Sequence, residues 1–250
     1  MVRMILHGCN GRMGKMIADI VKEDGDIEIA EGVDIKTAAA DFPVVDSIDK
    51  VSAAADVVVD FGNASAVDGV VKWCESHKIP LVECTTGLSD ETLELIKKSS
   101  ETTPMFKSAN MSLGINLISK ILKENAAKLT EAGFDVEIVE KHHRTKLDAP
   151  SGTALALADA VNDGLDKKKD YVFDRSGRRM VRPDTEIGIS AVRGGSIVGD
   201  HDVIFAGRDE VITFSHSAYS RAVFAKGAVE AAKFVVGKDP GMYDMSDVIG

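Results

Sequence analysis

Hydrophobic positions along the chain follow two rhythms in alternation. Short apolar runs at residues 2–7 (VRMILH), 27–33, 57–61 (VVVDF) and 79–84 (IPLVEC) read as strands, with weaker ones at 42–45 and 104–107. Between them apolar side chains recur at helical spacing: Met16, Ile17, Ile20 and Val21 in 15–22, then Val67, Val70, Val71 and Cys74 in 66–77. A third helix, 88–100, opens on Ser89, a good N-cap, with Glu91 in its first turn. The apolar run at 57–61 suits a parallel strand covered on both faces. Strand and helix in succession predict an α/β fold built on a Rossmann-like parallel sheet.

Beyond about residue 110 the rhythm changes. Leu113, Leu117, Ile121 and Leu122 mark a helix, and 134–140 alternates Phe134, Val136 and Ile138 with Asp135 and Glu137, as a half-buried strand does. Strands follow at 186–192, 197–206 and 211–217, joined by turns at 193–196 (RGGS) and 207–209 (GRD) that read as hairpin-like. These predict an α+β region with a mixed or antiparallel sheet and helices on one face. The charged, glycine-punctuated stretch 165–182 reads as a surface excursion, and Gly237 and Pro240 stop a long helix at 219–236. Trp73 and His77 read as packing and surface residues, His201 and His216 as structural or oligomer-facing.

Charge adds a second layer. Residues 141–146 gather Lys141, His142, His143, Arg144 and Lys146 in a chain whose formal net charge is −10. A cationic cluster kept in an acidic protein points to a small anionic ligand and away from nucleic acid. Asp148-Ala149-Pro150 then breaks regular structure, and Ser151 is placed to cap an apolar helix. The N–H groups of Gly152 and Thr153 would point out of that helix N-terminus, a good place for a carboxylate. Adjacent His142 and His143 point to opposite faces of an extended chain, and there is no HExxH or CxxC, so no metal is expected. No apolar run approaches the ~18 residues of a membrane span. The three cysteines, Cys9, Cys74 and Cys84, have no CxxC spacing, and with no signal-peptide pattern the expected compartment is the cytoplasm.

The turn after the first strand carries Gly8, Gly11 and Gly14, spaced GxxGxxG where a dinucleotide fingerprint usually has GxGxxG. Strand, glycine turn and helix are the right context, and Asp34 ends the second strand where an acidic residue can accept from ribose hydroxyls. The plainer alternatives are a tight turn and a solvated strand end. Asp34 disfavours a 2′-phosphate and so favours NADH over NADPH, whereas Lys36 could neutralise that phosphate. Thr85-Thr86-Gly87, at the C-terminal end of a strand, is a candidate nicotinamide contact. Cys84 has no basic neighbour to make it a nucleophile.

The run Glu137-Ile-Val-Glu140-Lys-His142-His143-Arg-Thr-Lys146-Leu-Asp148-Ala-Pro150-Ser-Gly152-Thr153-Ala154 resembles the E-x-x-E-x-H-H-x-x-K-x-D-x-P-S-G-T-A signature of dihydrodipicolinate reductases, now called 4-hydroxy-tetrahydrodipicolinate reductases. GxxGRMG, the TTG loop (with Cys84 where a glycine is usual), SANMSLGIN, RGGSIVGDH and the C-terminal GMYDMSDVI are similar to the same family's segments. The resemblance implies a dinucleotide-binding domain over 1–110, rejoined by 221–250, and an inserted substrate-binding and oligomerisation domain over 111–220. It implies NADH and/or NADPH bound by Gly8, Cys9, Asn10, Gly11, Arg12, Met13, Asp34, Cys84, Thr85, Thr86, Ser108, Ala109, Asn110 and Met111. It further implies a small dicarboxylate substrate held by His143, Gly152 and Thr153, His142 and Lys146 as catalytic proton donors, and a homotetramer. In relatives with marked NADPH use a basic residue commonly follows the acidic one, where Ile35 stands here. The rival readings are an NAD(H)-binding regulatory protein and another two-domain amino-acid or semialdehyde dehydrogenase. An acylating semialdehyde dehydrogenase would need a cysteine beyond Cys84, and there is none.

Overall fold

The computed structural model describes residues 1–250. The chain forms two compact units, Met1–Ser112 with Ala222–Gly250, and Leu113–Arg221. The first opens with β1 (Val2–His7), α1 (Arg12–Glu23), β2 (Ile27–Val33), β3 (Val44–Val45), β4 (Val57–Asp60), α2 (Ala64–His77), β5 (Leu81–Glu83), α3 (Asp90–Ser99) and β6 (Met105–Lys107). The second unit follows with α4 (Leu113–Glu131), β7 (Asp135–His142), α5 (Gly152–Asp163), β8 (Asp170–Val172), β9 (Glu186–Arg193), β10 (Gly199–Ala206) and β11 (Val211–Ala218). The chain then returns to the first unit as α6 (Ala222–Val235), β12 (Met242–Tyr243) and α7 (Met245–Ile249).

In the first unit seven strands lie in the order β12-β6-β5-β4-β1-β2-β3, every neighbouring pair parallel. On one face Ile5, Val58, Leu81 and Met105 share a core with Val67, Val70, Val71 and Cys74 of α2 and Ile96 of α3. The residues of opposite parity, Met4, Leu6, Val57, Val59 and Val82, are equally enclosed, and α6 packs on β4, β5 and β6 while meeting α1. Apolar runs without alternation therefore mark strands buried on both sides. The strand order reverses between β1 and β4, which puts the binding crevice of such a sheet at their C-terminal ends. β12 has no sequence signal, because two residues carry no periodicity; the sheet edge left by β6 recruits it.

The second unit has the order β11-β10-β7-β9-β8. β7 pairs antiparallel with β10 and parallel with β9, so the sheet is mixed. The 193–196 turn is not a hairpin as its sequence suggests: β9 and β10 lie on either side of β7, and the turn crosses the end of that strand. Gly194 N–H donates to His142 O at 2.9 Å and Arg144 N–H to Gly195 O at 3.2 Å, tying the crossing to β7. Only the 207–209 turn joins neighbours, β10 and β11. The expected surface excursion holds β8, and its arginines fold back: Arg182 on Asp135 and Glu137, Arg175 on Glu137 and Glu186, Arg178 on Glu186. The core packs Leu122 and Ala126 of α4 and Leu157 and Val161 of α5 against Val136, Ile138, Ile187, Val203 and Phe205 of the sheet.

Candidate active site

In the first unit the glycine turn is compact because backbone meets backbone. Gly8 has φ +77°, and a Cβ there would come within 2.5 Å of Phe61 O; one on Gly14 would strike the carbonyls of Gly8 and Cys9. Helix α1 starts at Gly11 with no side-chain cap, whereas Asn63, Ser89, Ser151 and Asp244 cap α2, α3, α5 and α7. Its first N–H groups and the positive end of its dipole are left for an anion. Asp34 Oδ2 accepts from Asn10 N–H at 3.0 Å and Oδ1 from Lys36 N–H at 2.9 Å, which fixes the carboxylate beside the turn. A cradle that a Cβ would fill, an uncapped helix start and a fixed carboxylate fit the pyrophosphate and ribose of a dinucleotide. Cys9 turns inward, and burial and then the Asp34 charge push its thiol up to about 11. A cavity of about 620 Å³ lies nearby, lined by Lys15, Lys22, Asp41 and Phe42; of the expected cofactor residues it takes in only Cys9 and Asn10.

Past β5, Thr85 is buried, and its N–H donates to Glu83 Oε1 at 2.7 Å. Its hydroxyl is enclosed and meets no protein partner, as a group awaiting a ligand would be. Burial, then the Glu83 and Asp60 charges, raise the Cys84 thiol well above its ordinary range, so it is no thiolate. Ser108 Oγ donates to Asn110 O at 3.0 Å, and Ser112 N–H to Asn110 Oδ1 at 2.8 Å, which fixes the turn ahead of α4. Met111 is packed inside, its carbonyl against Gly227 of α6.

In the second unit the signature residues gather at the end of β7. Alternation turns Val136, Ile138, Glu140 and His142 inward. Glu140, fully buried, is held by four contacts from three residues. Arg193 forks onto it (Nη2–Oε1 2.6 Å, Nη1–Oε2 2.7 Å), Ser151 N–H donates to Oε1 at 3.0 Å, and His142 Nδ1 lies 2.6 Å from Oε2. Burial pushes this carboxyl up, but Arg193, His142 and the Ser151 N–H outweigh it and hold it below the usual range. A carboxylate beside Nδ1 accepts a hydrogen bond from the N–H there, so Nε2 is the ring nitrogen left to meet another partner. Nε2 looks toward Gly199, where an added Cβ would sit 3.0 Å away. His201 lies edge-on to the His142 ring at 5.1 Å and meets Ser151 Oγ through Nε2 at 3.0 Å. Burial and then the His142 charge lower it to about 4, so it is neutral at pH 7.

The five basic residues do not converge. Lys141 points to the other face of the sheet and pairs with Asp202 at 3.0 Å, while Arg144 is exposed. His143 is half-buried, its Nδ1 2.8 Å from Thr145 Oγ1, and Lys146 Nζ pairs with Asp148 at 2.8 Å. Gly152 and Thr153 open α5 behind the Ser151 cap, whose Oγ accepts from Ala154 N–H. Motif reading gave three members of this cluster no site role: Glu140 and Arg193 stand in the quoted segments without one, and His201 is read as structural or oligomer-facing. Glu140 had one available signal, a charge at a core-facing position of an alternating strand. Among these residues no group of three or more His, Cys, Asp or Glu is arranged to hold a metal.

Comparison with known proteins places the chain. The model of the dihydrodipicolinate reductase N-terminus matches residues 2–111, and that of the C-terminus matches 114–249. The 4-hydroxy-tetrahydrodipicolinate reductase of Caldanaerobacter subterraneus subsp. tengcongensis is 54% identical over 249 residues, covering 100% of this chain and 98% of that protein. The Clostridium tetani enzyme of the same name is 52% identical, covering 98% of this chain and 96% of that one. Among solved structures, a dipicolinate-bound dihydrodipicolinate reductase from Paenisporosarcina sp. TG-14 superposes with a TM-score of 0.80 at 25% identity, covering 98% of this chain and 97% of that one. Matched through both units and nearly end to end, the chain belongs to the dihydrodipicolinate reductase family.

Proposed function

We propose that the protein reduces 4-hydroxy-tetrahydrodipicolinate to tetrahydrodipicolinate, using a nicotinamide cofactor, in the biosynthesis of diaminopimelate and lysine. Full-length membership of the family carries this reading. The reduced nicotinamide supplies the hydride when bound. In the first unit Gly8–Gly14 and the start of α1 receive the pyrophosphate and Asp34 the adenosine ribose. Cys84, Thr85 and Thr86, with Ser108, Ala109, Asn110 and Met111, meet the nicotinamide end. In the second unit His143 and the Gly152 and Thr153 N–H groups bind the substrate carboxylates. Hydride addition to a cyclic imine builds negative charge that a nearby acid must quench. His142 Nε2 is that acid, its ring aimed and its charge supported by Glu140 through Nδ1. Lys146, swung from Asp148 toward substrate, stabilises the developing charge or gives a second proton.

Because Asp34 is fixed beside the site of the ribose hydroxyls, we read NADH as preferred, with Lys36 allowing some use of NADPH. Free cysteines suit a reducing cytoplasm. The sheet face away from α4 and α5, with Val139 and Ile204 half-exposed, suits assembly as a homotetramer. The test is the loss of NADH absorbance when purified protein meets the condensation product of pyruvate and aspartate semialdehyde. Oxidation no faster than without substrate rejects the reading.

A further inference from the structure

Four strands of the parallel sheet end in an ionisable residue on one level. Register pairs His7 with Asp60, Asp60 with Glu83, and Glu83 with Lys107, across β1, β4, β5 and β6. Each stands two residues after an apolar one of the core beneath α2 and α3: Ile5, Val58, Leu81 and Met105. Asp60 is 0% and Glu83 1% exposed. Asp60 Oδ1 is bonded by His7 Nδ1 at 2.5 Å and by Gly62 N–H at 2.7 Å; Glu83 Oε1 accepts from Thr85 N–H at 2.7 Å. The other two oxygens, Asp60 Oδ2 and Glu83 Oε2, are enclosed and meet no N–H or O–H donor. Two carboxylates side by side in an apolar enclosure repel each other and lack solvent; one proton between them removes both penalties.

We propose that Asp60 and Glu83 share one proton, and that this pair, through Gly62 N–H and Thr85 N–H, holds the loops after β4 and β5 in the shape that receives the nicotinamide end of the cofactor. The proposal rests on the cofactor reading above and makes Glu83 and Asp60 positioning residues, acting on the cofactor through Gly62 and Thr85. The groups facing the pair are few: His7 on β1, Lys107 on β6, the Cys84 thiol beside Glu83, and the Cys74 thiol of α2 among Val67, Val70 and Val71. On the opposite face α6 presents Ala225, Ala228 and Ala232. Burial and then the Asp60 charge push the Glu83 carboxyl up to about 9, so the shared proton persists at pH 7 and leaves in alkali. Its loss sets two charges against each other and frees the Thr85 loop.

The test measures dissociation constants of NADH and of ADP-ribose, which lacks nicotinamide, at about pH 7.5 and pH 10. Wild-type protein should lose NADH affinity about tenfold between these values, and ADP-ribose affinity less than about twofold. Glu83→Gln and Asp60→Asn supply a permanent N–H between the two groups, so each should hold NADH within about twofold across the range. A profile in these variants equal to wild type overturns the proposal, as does an equal loss of both ligands, which marks a change in the whole sheet. The two-ligand comparison in wild type stands even if a variant fails to fold. If wild type binds neither ligand at pH 7.5, the cofactor reading falls and the proposal with it; if both bind and only the pH contrast is missing, the proposal alone fails.

Discussion

Glu140 is a charge placed where the alternation of β7 calls for an apolar residue, and the cluster around His142 depends on it. Glu140→Gln keeps the shape but weakens the hold on Nδ1 and on Arg193. We expect kcat to fall about 10²-fold, with NADH affinity unchanged in a binding titration. His142→Gln and Lys146→Ala should each lower kcat by about 10²–10⁴-fold, again without loss of cofactor; wild-type turnover in either would remove its assigned role. Gly199→Ala presses a methyl toward His142 Nε2 and should lower kcat while the unfolding temperature stays near wild type, which a paired melt and activity assay reads directly. A contiguous signature names His142, His143 and Lys146. It gives no partner to Glu140 or His142, since Arg193 and His201 lie 53 and 59 positions from them respectively along the chain; residues this distant meet only through the register of β9 and β10, which no local pattern encodes.

At the scale of elements, the helices were the best read. Ser89 and Ser151 do cap α3 and α5, because a hydroxyl ahead of an apolar-periodic run has one economical use. The 193–196 turn was misread because glycine-rich turns look alike whether they join neighbours or step over a strand. The ladder at the ends of β1, β4, β5 and β6 has its own thermodynamic consequence. The folded Glu83 carboxyl binds its proton more tightly than the ordinary value of 4.5, up to about 9. Stability from this group is therefore full below about pH 4.5 and is lost progressively as the pH climbs through the folded value. Glu83→Gln removes that titration, so its stability relative to wild type should improve from about pH 5 to pH 9 and then level off; urea melts showing a constant difference would contradict this. Gly14→Ala should cost both NADH binding and several degrees of thermal stability, because the neighbour to be displaced is backbone.

For the whole molecule, the alternation of strand and helix was enough to read an α/β fold with a second, mixed-sheet region, since burial on two faces or on one writes different periodicities into sequence. The size of the insertion was legible only as a change of rhythm near residue 110. Cofactor binding should register globally: at about 100 times its dissociation constant, NADH adds about 2.7 kcal/mol, roughly 5–10 °C in a melt of a chain this size. An equal shift with NADPH at the same concentration would contradict the preference assigned to Asp34.

The return of the chain as α6 and β12 has a bearing on synthesis. Every core residue of Leu113–Arg221 precedes residue 222 in order of synthesis, so that portion is complete in sequence before α6 is made. The parallel sheet stays uncovered by α6 and without β12 until residues 222–250 have been added. The half of the enzyme begun first is thus finished after the other, and a chain cut off before α6 carries a completed insert and an unsealed nucleotide fold.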